Sequence, residues 1–564
     1  MATNKKATKQ SSQNIRLPFI GSMTNREASP LKDQRFINIF PETRKVEAIE
    51  STKIFMNKRP GLQLYKNYGV GAGRGLVFFN NKIYIAVGNK LWEDAAVPVL
   101  KITFPTTTGD VGMVVGNSSI TGDYLFVCDG IKGWTIDNAG TVVEISNQTV
   151  SSVAINNAGS GYLTAPTISF TGGGGAGAAA TATVSGGAIT SIVMTNNGTG
   201  YTSAPSVVIT PTSGGIDGDA YAILNAFPSP HAPTPVFIDG YILLSKGSDV
   251  FNCVLDDPET WDPSNYLSAE MYPDPIDALA RQNNLVVVFG KYSIEFFYDA
   301  ANATASPLSR NDSTAIQIGC ASPHAIYQQE RVVLFVGQSD TGGRAVWQID
   351  GTTPKRISDE YIDRILDSET NALSIEGFGV RTMGHLFFVI NLYGAQRTLV
   401  YDTEEKLWHE WSTTVEGPVN HLVNPIHTPF RCNHMVDTNQ GYSYLLDTTN
   451  GNLYKFLPTV FNDNTVPILT EITTNKFDMD TYKRKFMSNF RLVGDRYPNN
   501  KVYLRWSDDD YQTWSAYKEI NLSDDFPNQA RMGSFRRRAF QIRHIEDQPL
   551  RLESFEVSYT EGDA

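Results

Sequence analysis

Histidine and cysteine gather at one place in the chain, where His421, His427, Cys432 and His434 fall within 14 residues. Imidazole and thiolate are the preferred donors of zinc. The spacing H-x5-H-x4-C-x-H fits no zinc pattern, however, and Pro425 and Pro429 mark an irregular loop, so the reading is a loop cluster without metal. Gly69 to Gly75 (GVGAGRG) has the glycine density of a dinucleotide loop. That loop works by presenting a helix N-terminus to a pyrophosphate, whereas here a strand follows, and the tetraglycine at 172–175 carries no Gly-Lys-Ser/Thr. Arg536, Arg537 and Arg538 form the strongest basic run. Guanidinium forks grip phosphate or carboxylate, but Asp524, Asp525, Glu546 and Asp547 lie close in sequence, so an ion-paired face is the simpler reading and a partner contact the alternative. No catalytic residue, cofactor site or metal site emerges from these spacings.

Ser507-Asp508-Asp509-Asp510-Tyr511-Gln512-Thr513-Trp514 resembles the Asp box, S-x-D-x-G-x-T-W, of sialidase-type propellers, with Tyr511 where glycine is expected. In that motif Ser and Asp bond to the turn backbone while Trp packs beneath, which staples a hairpin. Ser507, Asp509, Thr513 and Trp514 are therefore structural candidates. A glycan hydrolase would also need an acid, an arginine cluster and a nucleophile, which spacing does not single out.

Short strands and tight turns must position these residues. The 564 residues are 41% hydrophobic and 11% aromatic, with 46 Gly and 28 Pro, and that mixture of β-formers and turn residues predicts an all-β protein. Length allows three or four domains. No apolar run approaches the roughly 20 residues of a membrane-crossing helix, and residues 1–14 lack the apolar core of a signal peptide, so membrane insertion is not expected. Cys128, Cys253, Cys320 and Cys432 show no C-x-x-C spacing, which suggests reduced core thiols and synthesis in a cytosol.

From residue 75 a hairpin pattern recurs at 76–92, 123–137, 236–255, 285–298, 332–350, 386–402 and 442–456. The starts are separated by 47, 113, 49, 47, 54 and 56 residues. All but the second lie near the roughly 40 to 50 residues of a four-stranded blade, which predicts a six- or seven-bladed β-propeller-like core with one small β module inserted. The insertion shows its own duplication: NNAGSGYLTAP at 156–166 recurs as NNGTGYTSAP at 196–205, with Tyr162 and Tyr201 39 residues apart. Period-two strands at 501–506, 539–544 and 550–559 predict a β-rich C-terminal region. The expected organisation is an extended arm over 1–62 with one short strand, a propeller over 63–148 and 216–470, the module over 149–215 and a C-terminal β domain over 471–564. The one helix candidate is 359–366, with Ser358 as N-cap.

Charge is uneven. Residues 1–60 hold 12 basic and 5 acidic side chains, residues 476–564 hold 15 of each, and the middle carries a balance of −19 within an overall −12. A general DNA-binding protein shows the opposite sign over its bulk.

The order of segments resembles the tail nozzle, or packaged-DNA stabilisation, proteins of short-tailed double-stranded DNA phages. The resemblance rests on Gln34-Arg35-Phe36-Ile37-Asn38-Ile39-Phe40-Pro41-Glu42, on Arg59-Pro60-Gly61-Leu62, and on Leu504 to Asp509, Thr513-Trp514 and Arg536 to Phe540. It implies a non-enzymatic virion protein made in the host cytoplasm: a homo-hexamer below tail adaptor proteins, near tail fibre or needle proteins, with phage DNA passing through its lumen without sequence-specific binding. Acidic rings would let phosphates slide past. The basic arm would clamp a neighbouring subunit or ring, and Arg35, Arg59, Arg536, Arg537 and Arg538 are the contact candidates. The alternative is a carbohydrate-binding or glycan-hydrolysing propeller, for which Trp261, Trp408 and Trp411 are candidate exposed aromatics.

Overall fold

Alternation of apolar and polar residues on either side of Asn, Asp or Gly turns closes antiparallel pairs throughout the chain. The computed structural model describes residues 13–19, 34–46, 51–120, 122–302, 305–311, 315–329, 331–414, 425–439 and 441–562. They divide into two units, one of residues 1–73, 344–346 and 356–564 and one of 74–343 and 347–355.

The second unit carries five of the recurring sheets. Four are simple four-stranded meanders spanning 73–103, 112–144, 236–268 and 276–310, and the fifth surrounds Val332–Gln338. Alternating residues of their central strands form separate cores, such as Phe79, Tyr84, Leu91, Leu125 and Trp134 between the first two. The first unit carries two more. One runs 375–382, 385–392, 397–402 and 407–411; the other joins Cys432–Asp437, Ser443–Asp447 and Asn452–Leu457 to Gly61–Asn67 from near the N-terminus. Every one of the seven predicted hairpins lies within one of these seven sheets, and the chain is an all-β propeller protein. All four cysteines are buried thiols.

The N-terminal arm differs from its expectation. Gln13–Leu17 pairs with Arg551–Glu561, Ile39–Val46 pairs with Ser51–Lys58, and Arg35–Ile37 pairs with Thr470–Thr473. These segments alternate well enough to be strands, and they complete sheets of their own chain instead of extending from it. The helix is Glu360–Ser368, capped by Asp359, whose carboxylate accepts from the Tyr361 and Ile362 amides; Ser358 instead bonds the Asp363 carboxylate.

The duplicated segment forms one six-stranded sheet from Val150 to Leu224. Asn157 Oδ1 accepts from the Gly159 amide at 3.0 Å, and Asn196 Oδ1 accepts from the Gly198 amide at 2.9 Å. Tyr162 and Tyr201 are each buried against glycine backbone: a Cβ on Gly215 would run into the Tyr162 ring, and one on Gly175 would lie 2.6 Å from Tyr201 Cγ. Tyr201 thus joins Val150 and Ala222 in a small core, with Phe170, Met194 and Val207 packed against it, and Tyr162 is buried beside its own glycines. Gly215 also has φ +96°. Gly215→Ala is expected to expel the Tyr162 ring, weakening the module by about 2 kcal/mol or more. Limited proteolysis checks it, as cleavage within 150–224 that wild type resists.

No described helix is long and apolar enough to cross a membrane.

Candidate functional site

In the first unit the sheet of 375–411 continues through Arg35–Ile37, Thr470–Thr473, Ala539–His544 and Lys501–Ser507 to Lys518–Asn521, nine strands in all. One face is apolar, with Phe36, Ile472, Phe540, Ile542, Val502 and Leu504 in a core shared with Phe490 and Phe555. The other face carries a row of alternating charge. Arg397 and Arg35 share Glu410, Arg35 through Nε and Nη2 at 2.8 Å each, and Arg397 through Nε at 3.1 Å. Arg543 Nε donates to Glu471 Oε2 at 2.6 Å, and Gln541 Nε2 donates to Glu471 Oε1 at 2.9 Å. Burial alone would push the Glu410 carboxyl up; Arg35 and Arg397 outweigh it and hold Glu410 well below the usual carboxylate range. Glu471 is likewise held down by Arg543 against its burial. Each strand contributes one charge, and only strand pairing assembles them.

The Asp-box-like turn closes at the end of Lys501–Ser507. Ser507 Oγ donates to Asp509 Oδ1 at 2.9 Å and accepts from the Tyr511 amide at 3.0 Å; Asp509 Oδ1 also accepts from the Thr513 amide at 2.9 Å. These are the bonds that the motif requires, made with tyrosine at the glycine position. Tyr511 takes φ +65°, following Asp510 at +60°. Its buried ring compensates: the phenol donates to Thr474 O at 2.9 Å and the ring lies 5.9 Å from that of Trp514. Restoring the motif's glycine is therefore expected to weaken the domain. Tyr511→Gly relieves about 1 kcal/mol of backbone strain and removes about 3 kcal/mol of ring packing, a net loss of about 2 kcal/mol readable in urea unfolding.

The arginine candidates separate on the structure. Arg59 is fully buried, its fork on Asp463. Arg35 is half-buried and closed by Glu410. Arg538 is buried, with Nε and Nη2 each 2.7 Å from Asp508 and Nη1 donating to Met532 O at 2.7 Å. Arg59 and Arg538 hold the chain together and are too buried for surface contacts, which corrects their reading as subunit or adaptor residues, whereas Arg35 keeps an exposed edge beside its pairing with Glu410. Arg537 is exposed and pairs with Asp510 at 3.3 Å, and exposed Arg536 donates to Tyr482 O. The acids facing the run are thus Asp508 and Asp510 of the turn, not Asp524, Asp525, Glu546 or Asp547.

Of the histidine and cysteine cluster, His421 lies outside the described residues. His427 Nδ1 is 3.0 Å from Ser412 Oγ, His434 Nδ1 is 2.8 Å from Asn433 Oδ1, and burial pushes the Cys432 thiol up. No group of three or more His, Cys, Asp or Glu able to hold a metal occurs among the described residues. Trp261 and Trp411 are buried core residues and Trp408 is half-buried, which removes two of the three aromatics offered for glycan stacking.

The recurring four-stranded sheets define a β-propeller. Residues 180–455 match the phage stabilisation family, Phage_stabilise, described as bacteriophage P22 Gp10, beta-propeller. The match supports a phage structural protein, a component of the virion. No curated protein matches the chain. Among solved structures, the streptogramin B lyase structure is 9% identical, with 74% of this chain and 97% of that chain covered and a TM-score of 0.37. The N-terminal domain of Nup159 is 9% identical over 75% and 98%, with a TM-score of 0.34. The Neurospora crassa Pan2 WD40 domain is 8% identical over 71% and 95%, with a TM-score of 0.33.

Proposed function

We propose that the chain is the nozzle of a phage tail: a sixfold ring below tail adaptor proteins that continues the DNA channel, retains packaged DNA and guides its ejection. The family match over 180–455 is the observation that carries this reading. The charge pattern supports it, because a balance of −19 over residues 61–475 suits a wall past which phosphates slide without being held. Tail fibre or needle proteins are the expected distal neighbours. The chain's part is structural, with no catalytic step.

Native mass measurement of the purified chain and symmetry analysis of tails containing it test the proposal together. A hexamer in solution, or a sixfold ring around the channel in particles, is expected. A monomer that is absent from assembled tails overturns the reading.

A further inference from the structure

At the end of this charged row a guanidinium stands without a carboxylate among the described residues. Arg35 and Arg397 close on Glu410, and Arg543 closes on Glu471. Arg505, the next cation along the row, has no carboxylate within ion-pair distance among the described residues. Its Nε donates to Gln541 Oε1 at 2.5 Å, and its Cζ lies 4.8 Å from the Trp514 ring and 4.8 Å from the Tyr517 ring. Neither Nη has a hydrogen-bond partner among the described residues.

This arginine is held in place on every side. Gln541 is fixed by Glu471, by Thr473 at 3.0 Å and by the Tyr517 hydroxyl at 3.0 Å. Trp514 is set by the Asp-box-like turn, so the staple has a second consequence: it builds one wall of the Arg505 seat. Two aromatic walls and one anchored Nε leave the outer edge of a planar fork in fixed orientation, the geometry that matches a carboxylate bidentately. Trp, Tyr and Arg are also the side chains that concentrate binding energy in protein interfaces.

We propose that Arg505, walled by Trp514 and Tyr517, is a receptor for a single aspartate or glutamate carboxylate presented by another protein chain. The surrounding charge selects this ligand over nucleic acid. Residues 501–519 hold Lys501, Arg505 and Lys518 against Asp508, Asp509, Asp510 and Glu519. A phosphate backbone needs a run of cations to displace its counterions, and the neighbouring cations are already committed, Lys501 to Glu519, Arg537 to Asp510, Arg538 to Asp508 and Arg543 to Glu471. One carboxylate needs one fork. The inference stands independently of the tail reading, since it rests on the side chains of this one sheet.

Arginine labelling of the full-length chain tests it without any variant. p-Hydroxyphenylglyoxal followed by peptide mapping reads each guanidinium separately. Arg505 is expected to label, and about 10 mM hexaglutamate to lower its labelling about fivefold while surface Arg44 changes little; a six-residue thymidine oligonucleotide of matched charge should leave Arg505 unaffected. Failure of Arg505 to label, labelling indifferent to hexaglutamate, or protection by the oligonucleotide in place of the peptide would each overturn the proposal.

Discussion

Replacing Arg59 with alanine is expected to weaken the first unit by about 3 to 5 kcal/mol, because the change strands a buried carboxylate. All five donors of Arg59 are used. Nη1 and Nη2 reach the two oxygens of Asp463 at 3.0 and 2.5 Å, Nη1 also donates to Pro60 O, Nη2 to Ser412 O, and Nε to Asn38 Oδ1 at 2.8 Å. The fork lies 5.1 Å from the Phe430 ring, and Asp463 is itself buried. Arg59 therefore ties the N-terminal strands to two other sheets at a fully buried point. Arg59→Lys should fall close to alanine, since an ammonium cannot fill a bidentate site and three other acceptors. The double variant Arg59→Met with Asp463→Leu should recover most of the loss, because removing both charges leaves nothing unpaired. Urea unfolding of the three variants checks this; equal losses for the single and double changes would show that packing, not the ion pair, dominates.

This site also shows where the sequence was readable. Arg59-Pro60-Gly61 is prominent as a motif, but Asp463 is distant in sequence, so burial and partner were both invisible and the residue passed for a surface contact. The seven hairpins were legible for the opposite reason: each is local, its strands alternate with period two, and its turn is made by adjacent residues. Gly61–Asn67 alternates less clearly and finds its place only through pairing with Asn452–Leu457, which no local pattern reports. The Asp-box-like turn was readable as a staple, because its bonds span seven residues. Its role in seating Arg505 was not, because Tyr517 and Gln541 arrive from other strands. The charged row failed to show for the same reason: Arg397, Glu410, Arg35, Glu471 and Arg543 are isolated charges in five strands. Trp261 and Trp411 read as exposed because they stand near turns, yet their side chains point into cores.

Lowering the pH from 7 to 4 is expected to unfold the first unit well before its paired carboxylates protonate. His409 is buried between Phe387 and Trp411, with neither ring nitrogen hydrogen-bonded among the described residues, and burial pushes it down to about 4. Burial likewise brings His427 to about 4, and burial beside Lys58 drives His544 well below its ordinary value. For each, the unfolded chain binds a proton that the folded chain refuses. Stability is thus complete above the unfolded value near 6.5 and is lost as pH falls from there toward 4, by about 3 kcal/mol for His409 alone. His385 acts in the opposite sense, since the Asp402 carboxylate at 2.7 Å raises it, and so one histidine offsets part of the loss from three. Glu410 and Glu471, held low by arginine, retain their contribution down to about pH 4.5 and cannot account for a transition above it. On the alkaline side the same linkage acts through Lys58, which burial and Arg59 bring to about 7: its buried charge is a penalty present below that value and relieved as pH rises toward 10.5. The transition temperature should therefore climb from pH 4 to pH 9. His409→Phe should flatten the acid limb, raising stability at pH 5 by about 2 kcal/mol while changing little at pH 8, because the phenyl ring fills the same aromatic box without a protonation site. Thermal unfolding of wild type and variant across that range reads the difference, and an unchanged acid limb in His409→Phe would move the cause to His427 and His544.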